Sequence, residues 1–361
     1  MEDQRGGAAR ATIRDVAARA GVSVATVSRV LNGAGAGVVS GRARGLVEQA
    51  ILDLEFEPST AARALALRRS RTIGILTLTE VFSPASLSFE LQRAAQRAGY
   101  TVTVATVTSH EPAAVTASAL HAFREVEGLV VLAPTRESEQ LLSALGPCVP
   151  TIVVEGSGRL RDASIAMDQS GGAATATEHL IAQGARRIAH IGGPEGWASA
   201  ESRATGWRDT LRRHGLTEPP MIRGDWTTPS GYLAATELLR SGRPDAVFVA
   251  NDLMAIGAMS AFADLGVEVP ADVLVVGFDN IQASGYLIPK LSTVQQDFRD
   301  LALQAIDDLV RLMADGPAAA AHRLLPVELI VRASSTRGGR ESTQSQMKEQ
   351  ARGNHHAVDR S

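Results

Sequence analysis

Apolar residues near the N-terminus recur at helical spacing in two short runs. The first run begins at Ile13 and follows Thr12, a residue type that caps helix N-termini. Gly21 interrupts the pattern, and Ser23 is placed to cap a second run that ends near Leu31. Two short helices joined by a glycine turn are typical of a helix-turn-helix, so this segment predicts one.

A third helix is expected at about residues 42–54, after the glycine-rich stretch GAGAGVVSGRARG. The apolar residues expected to close a small core with the first two helices are Leu46, Val47, Ile51 and Leu54. Gly41 and Gly45 weaken this helix by up to ~1 kcal/mol each relative to alanine. The sequence therefore predicts a flexible loop before this helix and a headpiece of reduced stability.

From Ile73 onward, short apolar runs alternate with amphipathic helical segments. The series begins with IGILTL, FELQRAAQRAG and YTVTVATV and ends with AVFVAND, LMAIGAMSAFADLG and VLVVGFDN. Alternation of this kind predicts parallel sheets with helices on both faces. Because about 260 residues are too many for one short sheet, two doubly wound lobes are expected, with a ligand crevice at the strand C-terminal ends.

The predicted organisation has five parts along the chain. They are a disordered arm (1–10), an all-α helix-turn-helix headpiece (11–57), a hinge (58–71), an α/β core (72–335) and a disordered tail (336–361). Within the core, the first lobe is expected at about 72–164 and 294–324, and the second at about 165–293 and 325–335.

Composition indicates a soluble globular chain, with 45% hydrophobic and 21% charged residues. No apolar stretch approaches a membrane span, and the N-terminus has no signal-peptide core, so a cytoplasmic location is expected. Residues 1–71 carry 11 Arg and 7 acidic residues, a balance of +4, whereas the remainder carries 25 basic and 32 acidic residues, a balance of −7. The basic head indicates a polyanion partner, although a difference of this size also arises by chance.

The segment TIRDVAARAGVSVATVSRVLN resembles the DNA-binding headpiece of the LacI/GalR (lactose/galactose repressor) family. Further stretches resemble the family in the same order: FEPSTAARALA, RTIGIL, RRIAHIGGP, FVANDLMAIGAM, DVLVVGFDN and PKLSTVQQDF. The resemblance covers about residues 11–335. It implies a homodimer that reads a pseudo-palindromic operator, and a core similar to periplasmic sugar-binding proteins.

A recognition helix places its N-terminal side chains on the base edges of the major groove. In this sequence those residues are Val24, Ala25, Ser28 and Arg29, while Ser23 and Thr26 are better placed for phosphates. Arg29 is the only one of these residues that can form two hydrogen bonds with guanine. The alternative is that Arg29 contacts a phosphate or solvent. Thr12 is included in the predicted DNA-binding set, and the resemblance puts Asn32 near the DNA backbone.

The hinge STAARALALRRSR matches the family segment that becomes helical on operator DNA. The resemblance places Leu65 where the family inserts a leucine into the minor groove, with Ala62 and Arg63 beside it. The alternative for Leu65 is packing against the core.

Sugar recognition needs planar groups that form paired hydrogen bonds and an aromatic platform. Arg203, Asn251 and Asp279 fall on the family's effector-contact positions, and Trp226 matches an aromatic that stacks on a pyranose. The alternatives are an interlobe salt bridge for Arg203, a helix N-cap for Asn251 and a turn role for Asp279. A core position is expected for Trp207 and a helix cap for Asp252.

Four further residues are weaker candidates for the cleft lining: Glu155, Met167, Phe82 and Ser83. The last two lie in VFSPASLSF, which departs from the family's common asparagine-proline-phenylalanine-phenylalanine pattern. That departure leaves the identity of the effector open.

The sequence predicts a transcriptional regulator, most simply a repressor of sugar or glycoside utilisation genes that a small sugar releases from its operator. A purine, nucleoside or phosphorylated effector, or a corepressor, is the alternative. No phosphate loop, clustered metal ligands or nucleophile elbow is present, so neither an enzyme, a metal site nor a cofactor is expected. A bilobed transport component is disfavoured, because the chain has a DNA-binding head and no signal peptide.

Overall fold

The structure is a computed structural model that describes residues 11–31, 39–56, 70–77, 85–106, 123, 125–132, 135, 149–155, 163–316 and 322–337. The chain separates into two compact units, residues 1–71 and 72–361. The expected arm, most of the hinge, the glycine-rich loop as far as residue 38 and nearly all of the tail lie outside the described residues.

The N-terminal unit contains three helices, α1 (Ile13–Ala20), α2 (Val24–Leu31) and α3 (Gly41–Asp53). Thr12 caps α1 in a capping box, because its hydroxyl accepts from the Asp15 backbone N–H while the Asp15 carboxylate accepts from the Thr12 backbone. Gly21 ends α1 at φ 63°, a left-handed conformation that glycine adopts without steric cost. The predicted helix-turn-helix is confirmed.

A small apolar core joins the three helices of this unit. Its buried members are Val16, Ala17, Ala20, Val27, Val47, Ala50 and Phe56. Leu46 is 47% exposed, so the expectation that it closes the core is wrong. Val47 and Ala50 are three residues apart on the inward stripe of α3, and Leu46 lies one residue out of phase with them.

The second unit alternates strands and helices. In chain order its elements are β1 (Thr72–Thr77), α4 (Ala85–Arg97), β2 (Thr101–Thr106), β3 (Gly128–Leu132), β4 (Thr151–Val154), β5 (Ala163–Met167), α5 (Gln169–Ala182), β6 (Ile188–Gly192), α6 (Ala198–Arg213), β7 (Met221–Arg223), α7 (Thr228–Ser241), β8 (Ala246–Val249), α8 (Asp252–Asp264), β9 (Leu274–Asp279), a 3-10 turn (Gln282–Gly285), β10 (Ser292–Gln295), α9 (Phe298–Asp315), β11 (His322–Leu325), β12 (Glu328–Ile330) and a last 3-10 turn (Ala333–Ser335).

These strands form two six-stranded sheets, in the orders β11-β5-β4-β3-β1-β2 and β12-β10-β9-β8-β6-β7. Every pairing is parallel except that of β10 with β12. Buried residues of α4 and α9 pack on the first sheet, α5 and α6 cover one face of the second, and α7 and α8 cover the other. The predicted pair of doubly wound lobes is confirmed.

The chain crosses between lobes three times, after β5, after β10 and after β11. The expected crossing at residues 164/165 falls inside β5, which stays in the first sheet as far as Met167. The expected crossing at 293/294 likewise falls inside β10, which stays in the second sheet as far as Gln295. No helix among the described residues has both the length and the apolar character that a membrane crossing requires.

Candidate functional site

Helix α2 of the headpiece has one buried and one exposed side. Val27 is fully buried, whereas Val24 is 43% exposed, and Ala25 and Arg29 are also exposed. Ala25 and Arg29 are four residues apart and therefore share one face of the helix. The structure thus brings together on an exposed surface the residues that the sequence assigns to base edges, with Ser28 half-buried beside them.

Three hydroxyls of the predicted DNA-binding set already serve the helix ends. Ser23 Oγ accepts from the Thr26 backbone N–H at 3.1 Å and lies 2.9 Å from Thr26 Oγ1, which makes Ser23 the N-terminal cap of α2. Thr12 plays the same part for α1. The predicted contacts Asn32, Ala62, Arg63 and Leu65 lie outside the described residues.

Arg203 is the centre of the candidate effector site in the core. Its side chain projects from α6, is 4% exposed, and stacks with its guanidinium carbon 3.8 Å from the centre of the Phe278 ring. Its Nε donates to Gln169 Oε1 at 2.8 Å, and its Nη1 donates to the Ala250 carbonyl. The guanidinium Nη2 lies 3.7 Å from Asp279 Oδ1, an ion pair within the second lobe and not between lobes.

Asn251 and Trp226 adjoin Arg203. Asn251 follows β8 and caps α8, because its Oδ1 accepts from the Met254 backbone N–H at 2.9 Å. Its Nδ2 donates to the Trp226 carbonyl at 3.0 Å. The Trp226 ring lies 5.6 Å from the Arg203 guanidinium carbon, and its buried indole N–H has no hydrogen-bond acceptor among the described residues. An unpaired buried donor costs free energy unless a ligand or water accepts from it.

Two glutamines connect this cluster to both lobes, and sequence reasoning missed them. Gln169 follows β5 at the first crossing, and its Nε2 donates to Glu155 Oε2 at 2.9 Å and to Gln296 Oε1 at 2.8 Å. Gln296 follows β10 at the second crossing and donates to Asp279 Oδ1 at 2.7 Å. Gln169 follows the short apolar run ASIAMD, and Gln296 lies in PKLSTVQQDF, a stretch that resembles the family, but neither signal marks a glutamine as functional.

Carboxyl groups at the site have shifted pKa values. Burial raises the pKa of Asp279 to about 6, although Arg203 and Gln296 favour its ionised form. Burial also raises the pKa of Glu155, although the hydrogen bonds from the Met167 backbone N–H and Gln169 and the positive charge of Arg203 act to lower it. Arg203 itself has a lowered pKa because burial disfavours its charge more than the neighbouring carboxylates support it. Arg203 and Asp279 thus form a pair of opposite charges that is poorly solvated.

Three of the predicted effector residues hold left-handed backbone conformations. The φ angles are 60° for Glu155, 73° for Trp226 and 106° for Asp279. Such conformations cost non-glycine residues about 1–3 kcal/mol each and tend to collect at functional sites. Favourable packing in the rest of the fold therefore offsets the cost of these three backbone conformations, which orient the side chains.

Of the three remaining candidates for the cleft lining, the structure describes one, Met167. Met167 is 1% exposed in the first-lobe core, and its backbone N–H donates to Glu155 Oε1 at 3.0 Å. Phe82 and Ser83 lie outside the described residues. Trp207 is fully buried, which confirms its expected core position, and its indole N–H donates to the Ile188 carbonyl.

Asp252 does not cap α8, so that expectation is wrong. The cap is Asn251, and Asp252 instead accepts from Ser284 Oγ at 2.5 Å and from Thr293 Oγ1 at 2.6 Å. Burial and the nearby Asp279 raise its pKa to about 7. Asp252 therefore ties the 3-10 turn at Gln282–Gly285 and strand β10 to α8. Within the described part of the chain, no three His, Cys, Asp or Glu side chains are grouped to hold a metal ion.

Comparisons with known proteins agree with both units. Residues 12–59 match the family model described as bacterial regulatory proteins, lacI family, and residues 177–335 match a periplasmic binding protein-like domain. The lactose operon repressor of Escherichia coli (strain K12) is 35% identical over 325 residues, 89% of each chain. A ribose operon repressor of Halalkalibacterium halodurans is 33% identical, covering 92% of this chain and 98% of its own.

The same similarity appears in three dimensions. A crystal structure of the lac repressor dimer bound to operator and the anti-inducer ONPF has a TM-score of 0.80 at 33% identity, covering 91% of this chain and 99% of that one. A complex of the transcriptional regulator CelR with cellobiose has a TM-score of 0.66 at 30% identity, covering 90% and 100%.

A helix-turn-helix head joined to a bilobed binding core defines a ligand-responsive DNA-binding regulator. The chain belongs to the lacI family of bacterial regulatory proteins and is a DNA-binding transcriptional repressor.

Proposed function

We propose that this repressor binds a pseudo-palindromic operator as a homodimer and that a small neutral sugar releases it. The observation that carries the sugar assignment is the buried Arg203, held beside the Trp226 ring, whose indole N–H has no acceptor in the part of the chain that the structure describes. A planar guanidinium with neighbouring carboxyl and amide groups offers the mixed donors and acceptors that sugar hydroxyls need.

The DNA contacts are assigned to α2 and the hinge. Arg29 would contact guanine, Val24 and Ala25 would contact thymine methyls, and Ser28 would reach the bases from the same helix. One hydroxyl of the Ser23–Thr26 pair would donate to a phosphate, because the other already donates to its neighbour. Thr12 Oγ1 donates to Asp15 Oδ2 at 2.7 Å and would exchange that bond for one to a phosphate. Leu65, with Ala62 and Arg63, would open the minor groove at the operator centre.

Coupling between the two functions is assigned to the network of Gln169 and Gln296. Both residues lie at crossings between the lobes and bind groups of the effector cluster. A ligand that binds Arg203 and Glu155 would change the relative position of the lobes through these crossings. Repression is relieved if the ligand-bound arrangement disfavours the operator-bound hinge.

The names of several similar proteins are consistent with the sugar assignment. The relatives include lactose and ribose operon repressors, and one similar structure holds cellobiose. A PurR repressor of Edwardsiella ictaluri is also 33% identical over 83% of this chain, so the family resemblance alone does not select the ligand.

The test is the binding of the full-length protein to its own upstream DNA at several salt concentrations, with and without a panel of neutral sugars. We expect specific binding with a steep salt dependence that one sugar abolishes. Specific binding that no sugar weakens would contradict the sugar assignment and favour a corepressor or a non-sugar ligand. A mixture of purines, nucleosides and sugar phosphates then replaces the sugars in the same assay.

A further inference from the structure

Four exposed arginines lie together at the edge of the second sheet where its parallel strands begin. Two of them precede β6, one precedes β8 and one ends the described C-terminal segment. These residues, which we call the arginine surface, are Arg186, Arg187, Arg243 and Arg337. Asn251 follows β8 and Asp279 ends β9 at the opposite edge, so the length of the strands separates the arginine surface from the effector cluster.

Asp245 holds the arginine surface together. Its Oδ2 accepts from the backbone N–H groups of Arg186 and Arg187 at 2.9 and 2.8 Å, and its own N–H donates to the Arg187 carbonyl at 2.9 Å. Partial burial raises the pKa of Asp245, but these two accepted hydrogen bonds and the positive charges of Arg337 and Arg187 lower it overall. One carboxylate thus lies among four guanidinium groups, and the surface keeps a positive charge.

The ends of two helices meet at the arginine surface. Gly242 is the C-cap of α7, and a Cβ at this position would lie 2.9 Å from Arg187 Nη2, so glycine leaves room for the guanidinium. The Arg337 backbone N–H donates to Oε1 of Gln183, the C-cap of α5, at 3.4 Å. Because the C-terminus of a helix carries partial negative charge, the simplest role of these arginines is to stabilise the two helix ends.

The guanidinium groups nevertheless have capacity to spare. Within the described structure, none of the four donates a hydrogen bond or lies within 4 Å of a carboxylate. Other exposed arginines of the same lobe are paired, such as Arg213 with Glu178 at 3.1 Å and Arg240 with Glu237 at 3.8 Å. The arginine surface therefore differs from its surroundings in presenting unpaired cations.

The charge of the surface and the geometry of its donors favour a carboxylate-bearing partner. A guanidinium fork matches the two oxygens of a carboxylate. Residues 338–361 of this chain carry four basic and three acidic side chains, so they have no excess negative charge with which to cover the surface. The segments that form it, 183–187, 242–245 and 335–337, contain no aromatic residue on which the bases of a single-stranded nucleic acid would stack.

We propose that the arginine surface docks an acidic segment of a partner protein, whose carboxylates pair with Arg187 and Arg243. These two arginines adjoin, because the Arg187 guanidinium lies against Gly242, the residue before Arg243. Arg186 and Arg337 flank the pair and attract further acidic side chains. The inference does not depend on the sugar assignment, because the surface lies at the edge of the sheet opposite to the effector cluster.

The test is fluorescence anisotropy of labelled peptides with the full-length protein at low ionic strength. The probe is a peptide of alternating glutamate and glycine, and its neutral counterpart has glutamine in place of glutamate. The double variant Arg187→Gln/Arg243→Gln removes two cations of the arginine surface. The matched control, Arg208→Gln/Arg212→Gln, removes two exposed arginines of α6 that are already paired with carboxylates.

We expect saturable binding of the glutamate peptide that added salt weakens, and no binding of the glutamine peptide. The variant Arg187→Gln/Arg243→Gln should lower the affinity about tenfold, because an exposed ion pair is worth up to about fivefold. The α6 control should change it less than about twofold. Arg187→Lys/Arg243→Lys keeps the charge at the helix ends but loses the forks, so we expect an intermediate loss of affinity with unchanged thermal unfolding.

Several results would overturn the inference. They include a glutamate peptide that does not bind, and equal losses from the two glutamine double variants, which would indicate attraction without a defined site. If Arg187→Gln/Arg243→Gln lowered the unfolding temperature but left the peptide affinity unchanged, the arginines would serve only the helix ends. If that variant weakened binding of a labelled oligothymidylate more than binding of the peptide, the surface would belong to a nucleic acid and not to an acidic protein segment.

Discussion

The headpiece and the core present their candidate functional residues in opposite ways. In the headpiece, Val24, Ala25 and Arg29 lie within six consecutive residues on the exposed side of one helix. In the core, Arg203 and Asp279 are separated by more than seventy residues and meet inside the protein, where burial shifts their pKa values. A surface that binds DNA keeps its charges hydrated until the partner arrives, whereas a ligand site holds them ready in a poorly solvated pocket.

The difference predicts how each region responds to substitution. Changes on the exposed helix should alter binding with little effect on folding, because those side chains have few internal partners. Changes in the buried cluster should alter folding and binding together, since each side chain there serves several others. Four substitutions test this contrast.

Arg203→Met should have the largest effect. It leaves Asp279 and Glu155 without their cation, so we expect the core to lose about 3–5 kcal/mol of unfolding free energy and effector response to disappear. The loss of unfolding free energy is measured by denaturant unfolding of the core, and the loss of effector response by sugar-dependent release of DNA. Arg208→Met is the matched control on the same helix, where loss of the exposed pair with Glu218 should cost less than about 1 kcal/mol. Equal losses from both variants would contradict the contrast.

Arg29→Ala should alter DNA binding alone. We expect a loss of about 1–3 kcal/mol in discrimination between the operator and a sequence with one altered guanine, with unchanged unfolding. Arg42→Ala, an exposed arginine of α3, removes the same charge and should weaken all DNA sequences alike. Competition binding with single-base operator variants measures both. If the two variants proved indistinguishable across that series, Arg29 would be a phosphate contact.

Asp279→Asn should change the pH dependence of stability. The pKa of Asp279 in the folded protein is raised to about 6, so the folded state holds its proton more tightly than the unfolded chain does. The wild type should therefore lose stability relative to the variant as pH rises from 4 to 7, by on the order of 1–2 kcal/mol.

Asp225 provides a control of opposite sign. Hydrogen bonds from Thr227 and Ser230 lower its pKa, so the stabilisation that Asp225 contributes is present above its unfolded pKa and is lost as pH falls. The wild type should therefore gain stability relative to Asp225→Asn as pH rises through the acidic range. Urea unfolding at several pH values compares the three proteins, and parallel curves for wild type and Asp279→Asn would refute the assigned shift.

Gly45→Ala should have the smallest effect, a gain of up to about 1 kcal/mol in headpiece stability. A Cβ at this position in α3 would meet open space, and alanine favours the helix over glycine. Gly206→Ala is the corresponding change in the core helix α6, where the Cβ would overlap the Ser170 carbonyl oxygen. It should destabilise the core by about 1–3 kcal/mol. Thermal melts that shifted in the same direction for both would contradict this contrast.

The sequence predicts the headpiece and both lobes well, for a local reason. Helical spacing, caps such as Thr12 and Ser23, and alternating strands and helices are all visible within short windows of sequence. Leu46 was misassigned because one residue of helical phase separates a buried from an exposed position.

The candidate effector site was less predictable, because sheet topology assembles it. Gln169 and Gln296 form a hydrogen bond because β5 and β10 end at neighbouring crossings between the lobes. No local sequence pattern distinguishes these two residues from surface glutamines. The sequence offers both Asn251 and Asp252 as caps of α8, because either residue type can cap, and only the observed hydrogen bonds select Asn251.

The central claim is that the exposed head and the buried cluster are energetically coupled. Thermodynamic linkage tests it directly through the affinity of the protein for its releasing sugar, measured with and without saturating operator DNA, beside the operator affinity with and without saturating sugar. The account predicts that the two ratios are equal and exceed about fivefold. A sugar affinity that operator DNA leaves unchanged would contradict the claim.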